Sequence, residues 1–452
     1  MQAGAEQRGQ WSSKIGFIFA AAGSAIGLGN IWRFPYVAGE NGGAAFVLVY
    51  LACVALICLP YMFAELALGR NTEKNPVGAI RAITPRSLWI AIGILGVLTG
   101  VFILSFYAVV AGWTFGYIFK LFLTEPTPFT EFIASPWTVI GLTALFILFT
   151  VLVVYGGVSN GIERWSKLLM PLLFILMILL IIRSVTLTGA SAGLEFLLKP
   201  DFSKITGKTF LAALGQAFFS LSLGMGLMIT YGSYLSKKDN VITSALWIAS
   251  LDTLVAMLAG LMIFPALFAL GKAPDAGPAL VFIVLPEMFR EIPLGNLIGA
   301  AFFLLLSIAA LTSTISLLEV PVAYLVDEKR WKRKYTVWVV GAFALLLAIP
   351  SALSQGAVGW LGNIGGRDFL SLMSFLWGDI SLALGGLLLT IYIGWVWGVS
   401  NAAEELAKGS TFFKSRPFGL PFTNAQIWAF FIRYVCPVFI FVVLLNVFGV
   451  FG

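Results

Sequence analysis

The sequence predicts an all-α polytopic membrane protein. Two five-helix inverted repeats, spans one to five and six to ten, precede an eleventh span, and helices one and six are broken. Three observations lead there. Only 11% of residues are charged and 60% are hydrophobic, far from the roughly one quarter charged in soluble domains. Apolar runs of about 20 residues, the length that crosses hydrocarbon, recur along the chain. Two of these runs carry glycine-rich interruptions at matching places in the two halves.

The spans are expected at residues 14–38, 43–69, 88–123, 137–155, 165–188, 209–235, 241–271, 295–326, 335–350, 370–397 and 425–450. They divide the chain into an N-terminal segment (1–13), a first repeat (14–189), an extracellular loop (190–208), a second repeat (209–398), a cytoplasmic loop (399–424) and the last span (425–452). With the N-terminus inside, the inner segments carry 18 Lys and Arg and the outer ones 8. The positive-inside rule therefore puts the N-terminus in the cytoplasm and the C-terminus outside. The strongest contribution comes from Lys329-Arg330-Trp331-Lys332-Arg333-Lys334. This asymmetry also explains a net charge of +7, which in a soluble chain would suggest nucleic acid; none is expected here, nor any obligate protein partner. The first span lacks a signal-peptidase pattern and is expected to be retained. Absence of histidine argues against haem ligation, a His-based metal site or a His proton relay. Cys53, Cys58 and Cys436 all fall in spans, so no disulfide framework is expected. Short loops without a glycosylation acceptor favour a bacterial plasma (inner) membrane.

Span one holds Gly23-Ser24-Ala25-Ile26-Gly27-Leu28-Gly29-Asn30. Each Gly costs a helix about 1 kcal/mol relative to Ala, and in hydrocarbon a broken helix has no water to satisfy its backbone. A break is tolerated where the freed groups line a cavity or hold a ligand. The plain alternative is packing, because Gly23 and Gly27 also form a G-x-x-x-G face. Span six answers with Gly215 to Gly226, interrupted by Ser220, Ser222, Gly224 and Gly226. Paired interruptions of this kind point to an inverted-repeat transporter. Gly161, just before span five, and Pro171 inside it mark a weak point. It is either a passive kink or a cytoplasmic end that unwinds to admit water.

Several motifs carry a resemblance to the neurotransmitter:sodium symporter family, in its bacterial amino-acid branch. They are Gly27-Leu28-Gly29-Asn30-Ile31-Trp32-Arg33-Phe34-Pro35-Tyr36, Glu40-Asn41-Gly42-Gly43, Glu65-Leu66-Ala67-Leu68-Gly69-Arg70, the span-six break, and Ala309-Ala310-Leu311-Thr312-Ser313. The resemblance covers nearly the whole chain. It implies a multi-hydrophobic amino acid transporter with two sodium sites. The first would use Ala25, Asn30, Ser220 and Asp252, completed by the substrate carboxylate; the second would use Gly23, Ile26, Ala309, Thr312 and Ser313. Oxygen-only shells suit a hard cation. Adjacent hydroxyls on a helix also bond back to the preceding turn, which is the bland reading of Thr312 and Ser313.

The resemblance further implies a substrate pocket of Ala25, Gly27, Leu28, Gly29, Tyr107, Ser220, Ser222 and Ser313, walled by Ile103, Val110, Phe219, Met225 and Leu317. Amine-transporting relatives carry Asp at the position of Gly27, so glycine favours a substrate that brings its own carboxylate. Arg33 and Gln216 would gate the outer side above Phe219, with the partner acid open among Asp379, Asp368 and the position of Ser374. Residues 1–13 resemble a cytoplasmic latch, in which Arg8 pairs with Asp327 near Trp11 and Tyr234. Asp252 stands where chloride-dependent relatives have Asn, and Ala256 replaces a chloride-binding Ser, so Asp252 would supply the negative charge and no chloride is expected. That chloride would otherwise lie among Tyr50, Gln216 and Ser220. Glu65 is expected to brace the break in span one by accepting backbone hydrogen bonds, either as a plain structural acid or as a proton-linked one.

The function implied is sodium-coupled import of aliphatic and aromatic L-amino acids by alternating access, with two sodium ions and no chloride. A proton-coupled amino-acid permease of the same architecture is the alternative. No nucleophile–base pair or metal cluster points to an enzyme.

Overall fold

The computed structural model describes residues 9–123, 128–274, 280–417 and 420–450. Among them, nine helices are long and apolar enough to cross a membrane. A further pair, Lys14–Ala25 and Gly29–Glu40, bends by 50° at its break and forms span one. The remaining spans are Ala44–Thr72, Ile90–Lys120, Pro136–Tyr155, Val158–Val185, Val241–Ala269, Gly295–Lys329, Arg333–Leu353, Phe369–Ala407 and Asn424–Val447. Span six is two pieces, Gly207–Ser220 and Leu227–Gly232. With the bent pair counted as one span, ten apolar segments among the described residues are long enough to cross a membrane, against the eleven expected; the two short pieces of span six account for the difference.

Local chemistry sets the starts. The Ser13 hydroxyl accepts from Gly16 N at 3.1 Å, and Asn240 accepts from Thr243 N at 3.0 Å. Thr206 and Thr209 form a reciprocal cap on span six. Each satisfies backbone donors that a helix leaves bare at its first turn. Spans three and eight are the most enclosed, with 78% and 83% of their apolar windows buried, while span eleven has 22%. The centre of the bundle therefore lies between three and eight, and both broken helices pack there.

Three expectations change at this level. Gly161 lies within span five, in the π-helical turn Val158–Glu163, and not before it. A Cβ on Gly161 would stand 2.1 Å from the Val153 carbonyl oxygen, so this glycine serves close packing against span four. The helix runs unbroken through Pro171; in this structure the weak point is a widened turn, not an unwound one. Span ten extends ten residues past its expected end, through Gly398 at φ +90° into the helix Val399–Ala407. The segment expected as a loop is thus helical in its first third. A charged, amphipathic stretch after an apolar run reads as a loop by hydropathy, although a helix resumes directly after the break at Gly398.

Candidate functional site: two helix breaks around an oxygen-lined core

The span-one break leaves the carbonyls of Ser24 and Ile26 without helical partners, and neighbouring hydroxyls take them up. Ser222 and Ser313 each donate to Ser24 O at 3.2 Å. Thr312 lies 3.5 Å from Ile26 O. Thr312 and Ser313 also bond back to Ala309 O at 2.9 and 3.3 Å, so the helical back-bond and the reach across to span one coexist. Gly23 packs on this corner, where a Cβ would stand 3.3 Å from the Thr312 Cβ. The structure thus gathers Gly23, Ile26, Ala309, Thr312 and Ser313.

The other side of the break gathers on Asp252 of span seven, which is fully buried. Ser220 Oγ reaches its two carboxylate oxygens at 3.0 and 2.9 Å, and Tyr50 donates to it at 3.3 Å. Asn30 Nδ2 donates to its carboxylate at 2.8 Å and to its carbonyl at 3.0 Å, while Asn30 Oδ1 accepts from Gly27 N at 3.2 Å. A buried carboxylate is expensive unless it is hydrogen-bonded or coordinates a cation. Hydroxyls from two elements and the Asn30 amide from a third converge on it, and the carboxylate, hydroxyl and amide oxygens held at this corner are of the kind a hard monovalent cation takes.

Span six unwinds over residues 221–226, and three positions take left-handed φ: Ser222 at +54°, Gly224 at +85° and Gly226 at +72°. Gly224 is confined as well, since a Cβ there would stand 2.4 Å from Leu382 O. Glu65 accepts from Gly224 N and from Tyr61, each at 3.2 Å. This corrects the expectation for Glu65: the acid braces the break in span six, not that in span one. The second interrupted helix leaves its amides bare at the depth of span two.

Between the breaks lies a small pocket lined by Ala25, Gly27, Gly29, Ile103, Tyr107, Phe219, Ser222, Met225, Ser313 and Leu317. Sequence reasoning missed three further lining residues, Ser24, Ser316 and Leu382. Ser24 donates to Ser316 at 2.7 Å, and the small residue one turn beyond Ser313 was the available signal. The Tyr107 hydroxyl accepts from Leu28 N at 2.9 Å. A Cβ on Gly27 would lie 2.5 Å from Ser313 Oγ and 2.6 Å from the Tyr107 hydroxyl. A Cβ on Gly29 would lie 3.0 Å from the Phe219 ring. Two placements differ from expectation. Leu28 and Val110 line a chamber of about 200 Å³ above Phe219, not the pocket below. Ser220 turns its hydroxyl to Asp252, outside the pocket lining.

Phe219 and the Arg33 guanidinium, 4.8 Å above its ring centroid, separate the pocket from the chamber. Arg33 pairs with Asp379 at 3.9 Å, which settles the open partner. Asp368 caps its own helix at Ser371 N. Both Ser374 and Asp379 line the chamber because residues 374–380 form a π-helix, whose wider turn brings i and i+5 to one face. Gln216 departs from its expected role: its amide donates to Gly29 O at 2.7 Å, tying the two breaks together below the gate. Asp379→Asn should change substrate on-rate and off-rate by less than about fivefold, as a partly exposed pair worth about 0–1 kcal/mol implies; stopped-flow binding measures it.

At the opposite end Trp11 closes the bundle. Its indole donates to Tyr231 O at 3.0 Å and packs edge-on against Tyr231 and Tyr234. Arg8 lies outside the described residues. Asp327 accepts from Asn75 N and Nδ2 at 3.2 and 3.1 Å, and Tyr234 donates to Glu319 at 2.7 Å. Two acids here escaped the sequence reading. Buried Glu319 forms a bidentate pair with Arg333 at 2.9 and 2.6 Å. Glu163 accepts from Ser12 N, Ser12 Oγ, Ser13 Oγ and Lys167 within 2.8 Å, fastening the N-terminal segment to the π-turn of span five. A glutamate buried in an apolar span was the signal for Glu319; Glu163 sits in a polar stretch that gave none.

A polytopic bundle whose two interrupted helices face each other across a small, largely apolar pocket edged by hydroxyls is the architecture of a secondary transporter. The chain belongs to the sodium:neurotransmitter symporter family, whose model matches residues 8–139 and 133–451, and is accordingly a sodium-coupled, multi-pass membrane transporter. It is 40% identical over 450 residues to YhdH, an uncharacterized sodium-dependent transporter of Bacillus subtilis, covering 98% of each chain. An uncharacterized sodium-dependent transporter of Haemophilus influenzae is 38% identical, again with 98% of each covered. The crystal structure of MhsT in complex with L-phenylalanine superposes with a TM-score of 0.87 at 45% identity, covering 97% of this chain and 100% of that one.

Proposed function

We propose that the protein imports hydrophobic L-amino acids, aliphatic and aromatic, together with two sodium ions and without chloride. The observation that carries this reading is the junction of the two breaks, where the Ser220 and Tyr50 hydroxyls and the Asn30 amide gather on the Asp252 carboxylate beside a pocket with apolar walls. Asp252, Asn30, Ser220 and Ala25 would hold one sodium, and Gly23, Ile26, Ala309, Thr312 and Ser313 the other. Gly27 leaves no room for a side chain of its own, so the counter-charge to sodium at that point would come from the substrate carboxylate, beside Tyr107 and the amides of Leu28 and Gly29. Ile103, Phe219, Met225, Leu317 and Leu382 offer the side chain only apolar surface. The bound L-phenylalanine of MhsT supports the same substrate class.

Each sodium entering a cell held at 100 mV gains about 2.3 kcal/mol, so two supply about 4.6 kcal/mol. In the orientation proposed, the latch end around Trp11 faces the cytoplasm of a bacterium and the chamber above Phe219 faces outward. Chloride independence rests on Asp252: Tyr50 and Ser220 both direct their hydroxyls to its carboxylate, and neutral Ala256 packs in the same helix.

Uptake of labelled leucine and tryptophan into proteoliposomes tests the whole reading. Accumulation should require an inward sodium gradient and rise with a negative interior. Uptake driven by pH in sodium-free buffer would instead establish the proton-coupled alternative. Replacing chloride by gluconate should leave the initial rate within a factor of two; abolished uptake would overturn the role given to Asp252.

A further inference from the structure

At the end of the bundle opposite Trp11, a second cavity of about 250 Å³ lies between the end of span three and the segment that joins spans seven and eight. Its walls are aromatic. The Tyr117 hydroxyl donates to Phe282 O at 3.1 Å, and Phe129 stacks on Phe282 at 5.2 Å with 10° between the planes. Two cations line it, Lys120 and Arg290.

Lys120 is the unusual member, since only 7% of it is exposed. Its ammonium sits 4.7 Å from the ring centroids of both Tyr117 and Phe132 and, among the described residues, makes one long hydrogen bond, to Pro128 O at 3.4 Å. An ammonium has three donors, and a buried charge is costly without a partner. Arg290 forms no ion pair among the described residues. The acid in the lining, Glu287, is exposed and engaged by Lys272 at 4.0 Å. Glu131, the other acid near Lys120 among the described residues, is also exposed. Water screens both rim acids more than it screens the largely buried ammonium.

We propose that this cavity binds a small organic carboxylate with an aromatic or apolar body, its carboxylate between Lys120 and Arg290 and its body on Phe129 and Phe282. The site is separate from the central pocket and independent of the transport reading. It adjoins the outer chamber through Phe282, whose ring lies 5.9 Å from that of the chamber residue Trp32.

The test uses 4-fluorobenzoate and fluorine NMR on the full chain in phosphatidylcholine nanodiscs. The probe should bind saturably, and Lys120→Met should weaken it at least tenfold. Arg290→Gln, at an exposed position that leaves the fold unaltered, should weaken it at least threefold. Saturating sodium and L-phenylalanine should not displace it, and neutral 4-fluorobenzamide should not compete. Unchanged affinity in both variants overturns the site. So does displacement by L-phenylalanine, which would place the probe in the central pocket. Inorganic phosphate competing as strongly as benzoate would remove the apolar body from the proposal and leave a simple anion site.

Discussion

Asn30→Leu should abolish sodium-dependent substrate binding while the protein remains folded. Asn30 spends both ends of its amide at the break, donating to Asp252 and accepting from Gly27 N. Leucine has similar bulk but no oxygen for a cation and no donor for the carboxylate. Two of the three side chains that bond Asp252, Ser220 and Tyr50, stay in place, so the loss of stability is limited to about 1–3 kcal/mol. Coupling between two ligands commonly amounts to a 5–150-fold change in affinity. In the variant that factor should fall to about one, read by scintillation proximity with labelled leucine across a sodium titration. A variant whose substrate affinity still rises with sodium as in the parent would refute the placement of the cation at Asn30.

The second large effect is on stability. Arg70 is fully buried at the latch end and Glu405 is 1% exposed. Their side chains pair at 2.8 Å, Arg70 reaches the Asp239 and Glu405 carbonyls, and Lys408 closes on Glu405 at 2.6 Å. Glu405→Gln leaves a buried guanidinium without its counter-ion, a change that costs about 3–5 kcal/mol. It should lower the melting temperature in detergent by several degrees. The double variant Arg70→Met with Glu405→Leu should recover most of that loss, because replacing a whole buried pair by apolar groups is close to neutral. Equal melting of Glu405→Gln and the parent chain would mean that the pair contributes nothing to folding.

What the sequence disclosed follows the physics of its solvent. Gly23 to Asn30 and Gly215 to Gly226 stood out because helix-breaking residues in hydrocarbon need a reason, and Asp252 stood out because an acid in a span is rare. The structure brings these together. What stayed hidden depends on backbone details without a period of 3.6. Asp379 reaches Arg33 through a π-helical turn, so an alignment counted in α-helical turns lands on Ser374. Glu405 lies in a helix that follows a left-handed glycine, in a stretch polar enough to read as loop. Glu65 was legible as a buried brace, but which break it braces is a matter of tertiary packing. The π-turn at Gly161 shows the same limit, since packing against Val153 O decides its shape.

The two ends of the bundle are fastened very unequally. Above the pocket there is one phenyl ring and one partly exposed ion pair at 3.9 Å. A partly exposed pair of this kind is worth about 0–1 kcal/mol and holds that end only weakly. At the other end Glu163 holds four donors, Glu319 grips Arg333 with both oxygens, and Trp11 is wedged among aromatic rings. Those bonds must release together. This asymmetry leads us to expect that the chamber end opens more readily than the latch end, and that loosening the latch, as in Glu319→Gln, speeds turnover of labelled leucine in proteoliposomes.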